Sequence, residues 1–287
     1  MSSGSRHVGL PVGNVSVMAT IEHTRLRGDG EPVVLVHGIG HRREAWGRLP
    51  ALLHAAGHDV VVVDLPGFGR SGPPSAPDGW SMTSTAEQVE RLAAELGLER
   101  PHVVGNSLGG LVALELAGRG SVRTAVALAP AGFASRRHLA VAASTLLALK
   151  AGSYLPQRVH RAVHRSPRLH AIAFWPLYTR PELVDPETSL GDTLALRTGR
   201  GFWPHLFGSR RHRVPRELAV PTTIAWGERD RLLLPAQAQT ARERLPHAEH
   251  VLLPGCGHCP QVDDPDAVLA VATSTFARAA DPAPSTS

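Results

Sequence analysis

The sequence predicts an α/β fold: a mostly parallel, doubly wound sheet with an inserted helical cap. Three observations carry this reading. Short β-branched or apolar runs at Val33–Val36, Val60–Val63, Val103-Val104 and Thr124–Leu128 alternate with helical patterns, which is the rhythm of strand–helix–strand units. That rhythm stops near Gly132 and resumes only with Thr222-Thr223-Ile224-Ala225-Trp226. Between a β-branched run and a helical pattern stands Gly105-Asn106-Ser107-Leu108-Gly109. A Gly-x-Ser-x-Gly turn in that setting lifts a serine hydroxyl clear of a sheet edge. The alternative for so short a match is an ordinary serine in a strand-to-helix turn, so the rest of the chain has to decide.

Taken in order, Met1 to His7 is small and polar, and residues 1–13 and 281–287 read as flexible tails. The core is expected over 14–131 and 214–280, and the cap over 132–213. Val15 to Leu26 alternates loosely and suits one or two strands of an antiparallel opening hairpin. Val33–Val36 is apolar throughout, as in a strand buried on both faces, and ends in the Gly-rich turn His37-Gly38-Ile39-Gly40. A helix is predicted from Leu49 or Pro50 to Ala56, with Gly57 as its stop. The second buried strand lies within Asp59–Asp64. Gly67 to Gly72 then matches Gly-x-Gly-x-x-Gly, so a dinucleotide site has to be weighed. Pro73-Pro74 forbids the immediate helix that would hold a pyrophosphate. No cofactor is therefore expected.

Ser84-Thr85-Ala86-Glu87 has the form of a capping box, with a helix running on to Gly97. After Ser107 a helix is predicted to about Gly118, and the strand Thr124–Leu128 is closed by Pro130 and Gly132. From there to Val214 no buried strand is expected. The stretch is apolar, helical and rich in proline, and it holds eight of the chain's 13 aromatic residues. Many of these rings are read as cap core and a few as facing a pocket. The histidines of the cap are read as surface residues. A helix is predicted between Pro235 and Pro246, and the last strand is Val251-Leu252-Leu253. Asp264-Pro265 reads as the N-cap and first residue of the final helix, which carries Val268, Val271, Ala272, Thr275 and Phe276 on one side.

Composition sets bounds. A hydrophobic share of 43% in 287 residues is that of a soluble protein with a sizeable core. The N-terminal stretch shows no apolar secretory segment. The most apolar window, Leu139–Leu149, is too short to cross a bilayer. A cytoplasmic protein without stable membrane insertion is expected. The formal charge of +5 is uneven: Ala134 to Arg213 holds 13 Arg and Lys against 4 Asp and Glu. This is either a solvated basic face or a means of attracting an anionic ligand. No nucleic-acid motif accompanies it, so a nucleic-acid partner is not expected. Cys256-Gly257-His258-Cys259 resembles a dithiol redox motif, but Pro260 follows directly and no thioredoxin-like unit surrounds it. No second ligand pair suits zinc, and no metal is expected. Two buried or half-buried thiols are the plainer reading.

Ser107, Asp230 and His258 each fall in a loop just after a predicted parallel strand, and in a doubly wound sheet those loops share one edge. Their order, together with His37-Gly38-Ile39-Gly40 and Asp64-Leu65-Pro66-Gly67-Phe68-Gly69-Arg70-Ser71 after the first two strands, closely resembles the α/β-hydrolase family over residues 14–280. The resemblance implies a serine hydrolase with an inserted cap. Ser107 is then the nucleophile, His258 the base, and Asp230 the acid that orients it. Glu228, Asp263 and Asp264 are rival acids, but Gly227-x-x-Asp230 matches the family position. The backbone N–H groups of Ile39 and Leu108 would form the oxyanion hole. His37 would hold its own loop.

The activity so implied is cleavage of a carboxylic ester, lactone or thioester through an acyl-enzyme. The substrate would be a small apolar or aromatic molecule, with an anionic one as the alternative that the basic cap raises. Gly-Asn-Ser-Leu-Gly-Gly also looks similar to the elbow of carbon–carbon bond hydrolases acting on vinylogous diketones. In that subgroup Trp usually follows the catalytic His, whereas here Cys259-Pro260-Gln261 follows. A ligand receptor or an acyltransferase on the same fold are further alternatives.

Overall fold

In the computed structural model, residues 21–75 and 77–279 are described. The tails, and the part of the opening strand pair before Ile21, lie outside them.

The valine runs are apolar at every position because helices cover both faces of the sheet. Its strands are β1 (His23–Leu26), β2 (Pro32–Val36), β3 (Asp59–Val63), β4 (His102–Asn106), β5 (Ala125–Leu128), β6 (Thr222–Gly227) and β7 (Glu249–Leu253). They lie in the order β1-β3-β2-β4-β5-β6-β7. Every pairing is parallel except β1 with β3. Of the expected opening hairpin only the second half, β1, is described, and the rest lies outside the described residues. β1 pairs antiparallel along β3, since β3 and β4 occupy both edges of β2.

Side-chain alternation sorts the core into two layers. Val34, Val36, Val61, Val63 and Val103 pack with Val89 and Leu92 of α2 (Met82–Glu95) and Leu111 and Leu116 of α3 (Leu108–Arg119). Val33, Leu35, Val60, Val62 and Val104 meet the opposite layer. There Leu49 and Leu53 of α1 (Leu49–Ala55) join Val268, Ala272 and Phe276 of the final helix, Pro265–Ala277. Asp264 caps that final helix by accepting from the Ala267 N–H at 3.0 Å, as its sequence predicts.

Two local expectations shift. The N-cap of α2 is Ser81, not Ser84: Ser81 is extended and its hydroxyl accepts from the Ser84 N–H at 3.1 Å. The helix begins one turn early because Met82, at N1, is buried in the core. The other shift concerns α3, which runs to Arg119 and ends on the left-handed Gly120 rather than at Gly118.

Between β5 and β6 the described chain is helical. It forms α4 (Arg136–Gly152), α5 (Gln157–Arg165), α6 (Pro167–Phe174), α7 (Pro186–Thr198) and α8 (Phe202–Arg211). Ser135, Ser166 and Asp185 cap α4, α6 and α7, and Pro167 and Pro186 stand at N1. Phe133, Ala142 and Tyr178 pack with Ile224 and Trp226 of β6 and with Ala241 of α9 (Ala236–Arg244). This cluster joins the insertion to the sheet. Lys150, the chain's one lysine, is buried and donates to the carbonyls of Leu196 and Arg197 at the end of α7, at 2.5 and 3.1 Å.

The cap histidines are a correction. His160, His164, His170 and His205 are all buried. An imidazole costs little to bury when neutral and hydrogen-bonded. His170 Nε2 meets Ser189 Oγ at 2.7 Å, and His205 Nδ1 meets the Gly201 carbonyl at 2.9 Å. Burial pushes His164 and His205 down to about 4, which keeps both neutral.

Candidate active site

Ser107 sits where β4 turns into α3. Its backbone is left-handed, with φ 57° and ψ −111°, a costly state for a residue with a side chain. Backbone bonds hold it there. Its N–H donates to the Leu128 carbonyl at 2.9 Å, and its carbonyl accepts from Leu111 and Ala131 at 3.1 and 3.0 Å. The flanking glycines are required by space. A Cβ on Gly105 would strike the Gly109 carbonyl, and one on Gly109 would strike the Val36 carbonyl. A Cβ on Gly38 would come to 3.2 Å from that of Ser107, so the turn after β2 lies close against the elbow.

Asp230 and His258 follow β6 and β7, and the parallel sheet brings both to the edge that Ser107 occupies. His258 Nδ1 lies 2.8 Å from Asp230 Oδ2. A carboxylate only accepts, so Nδ1 carries a proton, and in the neutral ring that leaves Nε2 as the free acceptor. The other oxygen, Oδ1, accepts from the Leu232 and Leu233 N–H groups at 2.9 and 2.8 Å, which fixes the carboxylate's orientation.

Each rival acid is committed elsewhere. Glu228 accepts from the Gly255 N–H. Asp263 accepts from the Thr179, Arg180 and Gly257 N–H groups. Asp264 is a helix cap.

Ser107, His258 and Ile39 line one cavity of about 440 Å³, within the size range of small-molecule sites. Among the described residues the Ser107 hydroxyl has no hydrogen-bond partner. In free enzymes the serine–histidine contact is often loose and tightens with substrate. The N–H groups of Ile39 and Leu108 also have no acceptor among the described residues. Leu108 is the first residue of α3 and its side chain is buried in the core. Its N–H stays at the elbow, at the positive end of the helix.

The cavity walls are largely aliphatic, with Leu146, Leu149, Val163, Leu177, Leu196 and Leu232 prominent. Of the insertion's aromatic residues only Phe174 and Tyr178 line it. Phe133, Tyr178 and Phe202 are buried, whereas Tyr154, Trp175, Trp203 and Phe207 are about half exposed. No arginine or lysine is among the described lining residues. The insertion's arginines are exposed instead.

His41 also lines the cavity, but burial pushes it down to about 3. It is neutral across the physiological range. His37 is structural, as expected. Its Nε2 accepts from the Leu65 N–H at 2.9 Å, so Nδ1 carries the proton and donates to the Gly38 carbonyl at 2.7 Å.

Sequence reading missed the residues that tie the His258 loop down. Asn106 Nδ2 donates to the His258 carbonyl at 3.0 Å and to that of Leu128 at 3.3 Å, and Gln261 Nε2 donates to Asn106 Oδ1 at 3.3 Å. Asn106 stands immediately before the nucleophile, which was the one available signal.

Two motifs set aside on sequence have structural roles. The Gly67–Gly72 loop wraps the chain's own Asp64 carboxylate, which accepts from the Arg43 and Arg70 N–H groups at 2.7 and 2.9 Å. A Cβ on Gly69 would strike that carboxylate. Both cysteines are free and buried. Burial pushes the Cys256 thiol up to about 12 and the Cys259 thiol well above its ordinary value, the opposite of a reactive thiol.

Known proteins resemble this chain along most of its length. Lipase 1 of Psychrobacter immobilis is 23% identical over 270 residues, covering 92% of this chain and 78% of the lipase. A thermophilic esterase from Thermogutta terrifontis superposes with a TM-score of 0.67 at 21% identity, covering 92% of this chain and 98% of the esterase. A meta-cleavage product hydrolase from Pseudomonas fluorescens IP01 gives 0.70 at 21%, covering 91% and 95%. At that identity the structural likeness speaks for the fold alone. The pattern of the Alpha/beta hydrolase family matches residues 33–271, from the first parallel strand into the last helix, and the chain belongs to that family.

Proposed function

We propose that this chain is a cofactor-independent serine hydrolase that cleaves carboxylic esters, lactones or thioesters with a neutral, apolar acyl group. The observation that carries this is the His258–Asp230 contact of 2.8 Å on the wall of the cavity that Ser107 also lines. In this reading His258 Nε2 takes the Ser107 proton as Oγ attacks the substrate carbonyl. Asp230 stabilises the imidazolium that results. The N–H groups of Ile39 and Leu108 receive the developing oxyanion, each contributing about 3 kcal/mol. His258 then protonates the leaving group, and water, activated by the same imidazole, releases the acid.

Similarity to Lipase 1 supports ester chemistry. The aliphatic lining supports an apolar acyl group. Without a lining arginine or lysine, it is less suited to the anionic vinylogous diketones of the carbon–carbon bond hydrolases. The helices over residues 132–213 act as the cap that shelters the acyl group from water.

The test is turnover of p-nitrophenyl esters, from acetyl to long acyl, beside labelling by a fluorophosphonate. Ser107→Ala is expected to lose labelling and to lower turnover by several orders of magnitude while keeping its fold. Turnover that survives Ser107→Ala would place the chemistry elsewhere. Single-turnover labelling without release would favour a receptor, and faster release with added alcohol an acyltransferase.

A further inference from the structure

The surface of the insertion carries a feature that hydrolysis at Ser107 does not need. α5 and α6 are joined at Ser166 and share a buried seam of rings. His160 and His164 lie 6.3 Å apart, His164 and His170 5.7 Å, and His170 and Phe174 4.7 Å. The faces turned away from that seam differ. On α5, Arg158, Arg161 and Arg165 follow at helical spacing and all are exposed. On α6, Leu169 and Ile172 stand out, with Trp175 directly after the helix; Ile172 is 73% exposed and Trp175 57%. A basic stripe thus lies beside an apolar one.

Within the chain, the Arg231 guanidinium lies 4.4 Å from the centroid of the Trp175 ring, which is still 57% exposed; Leu169 and Ile172 project into solvent, 45% and 73% exposed. Among the described residues Arg158, Arg161, Arg165 and Arg168 make no ion pair. Of the insertion's four acids, Asp192 pairs with Arg42, Glu182 with Arg180, and Asp185 caps a helix; Glu187 is exposed in the first turn of α7 and makes no ion pair among the described residues. Large apolar side chains left in water are also concentrated here. Outside the insertion, Leu252 is the one exposed large hydrophobic residue among those described. Of the lining residues, Leu155 in the α4–α5 turn is 47% exposed, so this turn is at once cavity wall and outer surface.

We infer that the α5–α6 face docks on an anionic phospholipid surface. Charge complementarity commits the occupant: three unpaired arginines meet lipid phosphates. Leu169, Ile172 and Trp175 enter the boundary between headgroups and acyl chains, the depth that Trp favours. An acidic protein would complement the arginines alone but leave the projecting apolar side chains without a stated role. Among the described residues no single helix is long and apolar enough to cross a membrane, and α4 and α5, which reach that length and composition only together, are bent by 113°; the docking proposed is adsorption of the α5–α6 face. This inference goes beyond the catalytic reading and does not rest on it.

Co-sedimentation of the full chain with vesicles tests it, using phosphatidylcholine alone and with about one-third phosphatidylglycerol at low and physiological salt. The wild type is expected to bind the anionic vesicles, and less so as salt rises. Ser107→Ala is expected to bind equally, whatever its activity. Removing three arginines at about fivefold each should weaken binding about 100-fold in Arg158→Gln/Arg161→Gln/Arg165→Gln. Leu169→Ser/Ile172→Ser should weaken it at least about tenfold. Circular dichroism checks that both variants fold. Lack of binding, indifference to phosphatidylglycerol, or full binding by either folded variant would overturn the inference. So would sedimentation velocity showing a dimer that Leu169→Ser/Ile172→Ser dissolves, because the face would then be covered by a second copy.

Discussion

Asp230 differs from its three rivals only in what its carboxylate touches. One oxygen holds the His258 ring at 2.8 Å and the other is tied to two backbone N–H groups. Asp230→Asn keeps an acceptor for those N–H groups but offers the ring a group that no longer demands Nδ1–H. Turnover is expected to fall about 10⁴-fold with little loss of Tm. Glu228→Gln, by contrast, alters a residue whose carboxylate holds only the Gly255 N–H, and its kcat should stay near wild type. Steady-state kinetics and thermal melts of the two variants decide the assignment. Ser107, Asp230 and His258 were legible because each ends a strand with its own turn signature. Asn106 and Gln261 were not. The bonds from Asn106 to His258 and Gln261 join residues 152 and 155 positions apart, and no local pattern records them.

At the scale of elements, strands and helix stops were read closely, since β-branched runs and glycines act within a few residues. The start of α2 was misplaced because Ser81 and Ser84 are both competent caps. The choice fell to Ser81 when packing buried Met82. Ser81→Ala should therefore cost about 1 kcal/mol in urea denaturation. Ser84→Ala, inside the helix, should be neutral or slightly stabilising. The reverse ranking would restore the later start. Helix α5 shows the limit of pattern reading. Its histidines and arginines are all polar in sequence, yet His160 and His164 are buried and Arg158, Arg161 and Arg165 are exposed. An imidazole sheds its charge at small cost, while a guanidinium cannot.

At the scale of the molecule, the insertion meets the core through the ion pair of Arg42 Nε with Asp192 Oδ1, 2.9 Å apart. Burial, opposed by Arg42 and assisted by Glu44 and Asp64, holds the Asp192 carboxyl up to about 7, against about 3.9 for an unfolded aspartate. Between those values the folded protein binds the extra proton. This contribution is therefore full below pH ~4 and lost as pH rises through about 7. Melting from pH 5 to pH 8 should show a fall in Tm that shrinks in Asp192→Asn by about 5–10 °C, the equivalent of roughly 3 kcal/mol. An unchanged pH profile would show that Asp192 ionises freely in the folded protein.

The family, the strand–helix rhythm, the strained serine turn and the identity of three candidate residues all follow from the sequence. They depend on local chemistry: which backbone angles glycine and serine accept, where proline ends a helix, and which runs suit a doubly covered strand. Convergence is another matter. That one carboxylate rather than three others reaches His258 depends on sheet order and register. The same holds for the Gly-rich loop closing on Asp64 and for a basic insertion keeping its arginines outside an aliphatic cavity. Hydrogen bonds and burial couple residues far apart in the chain, so these features emerge only once the elements are packed.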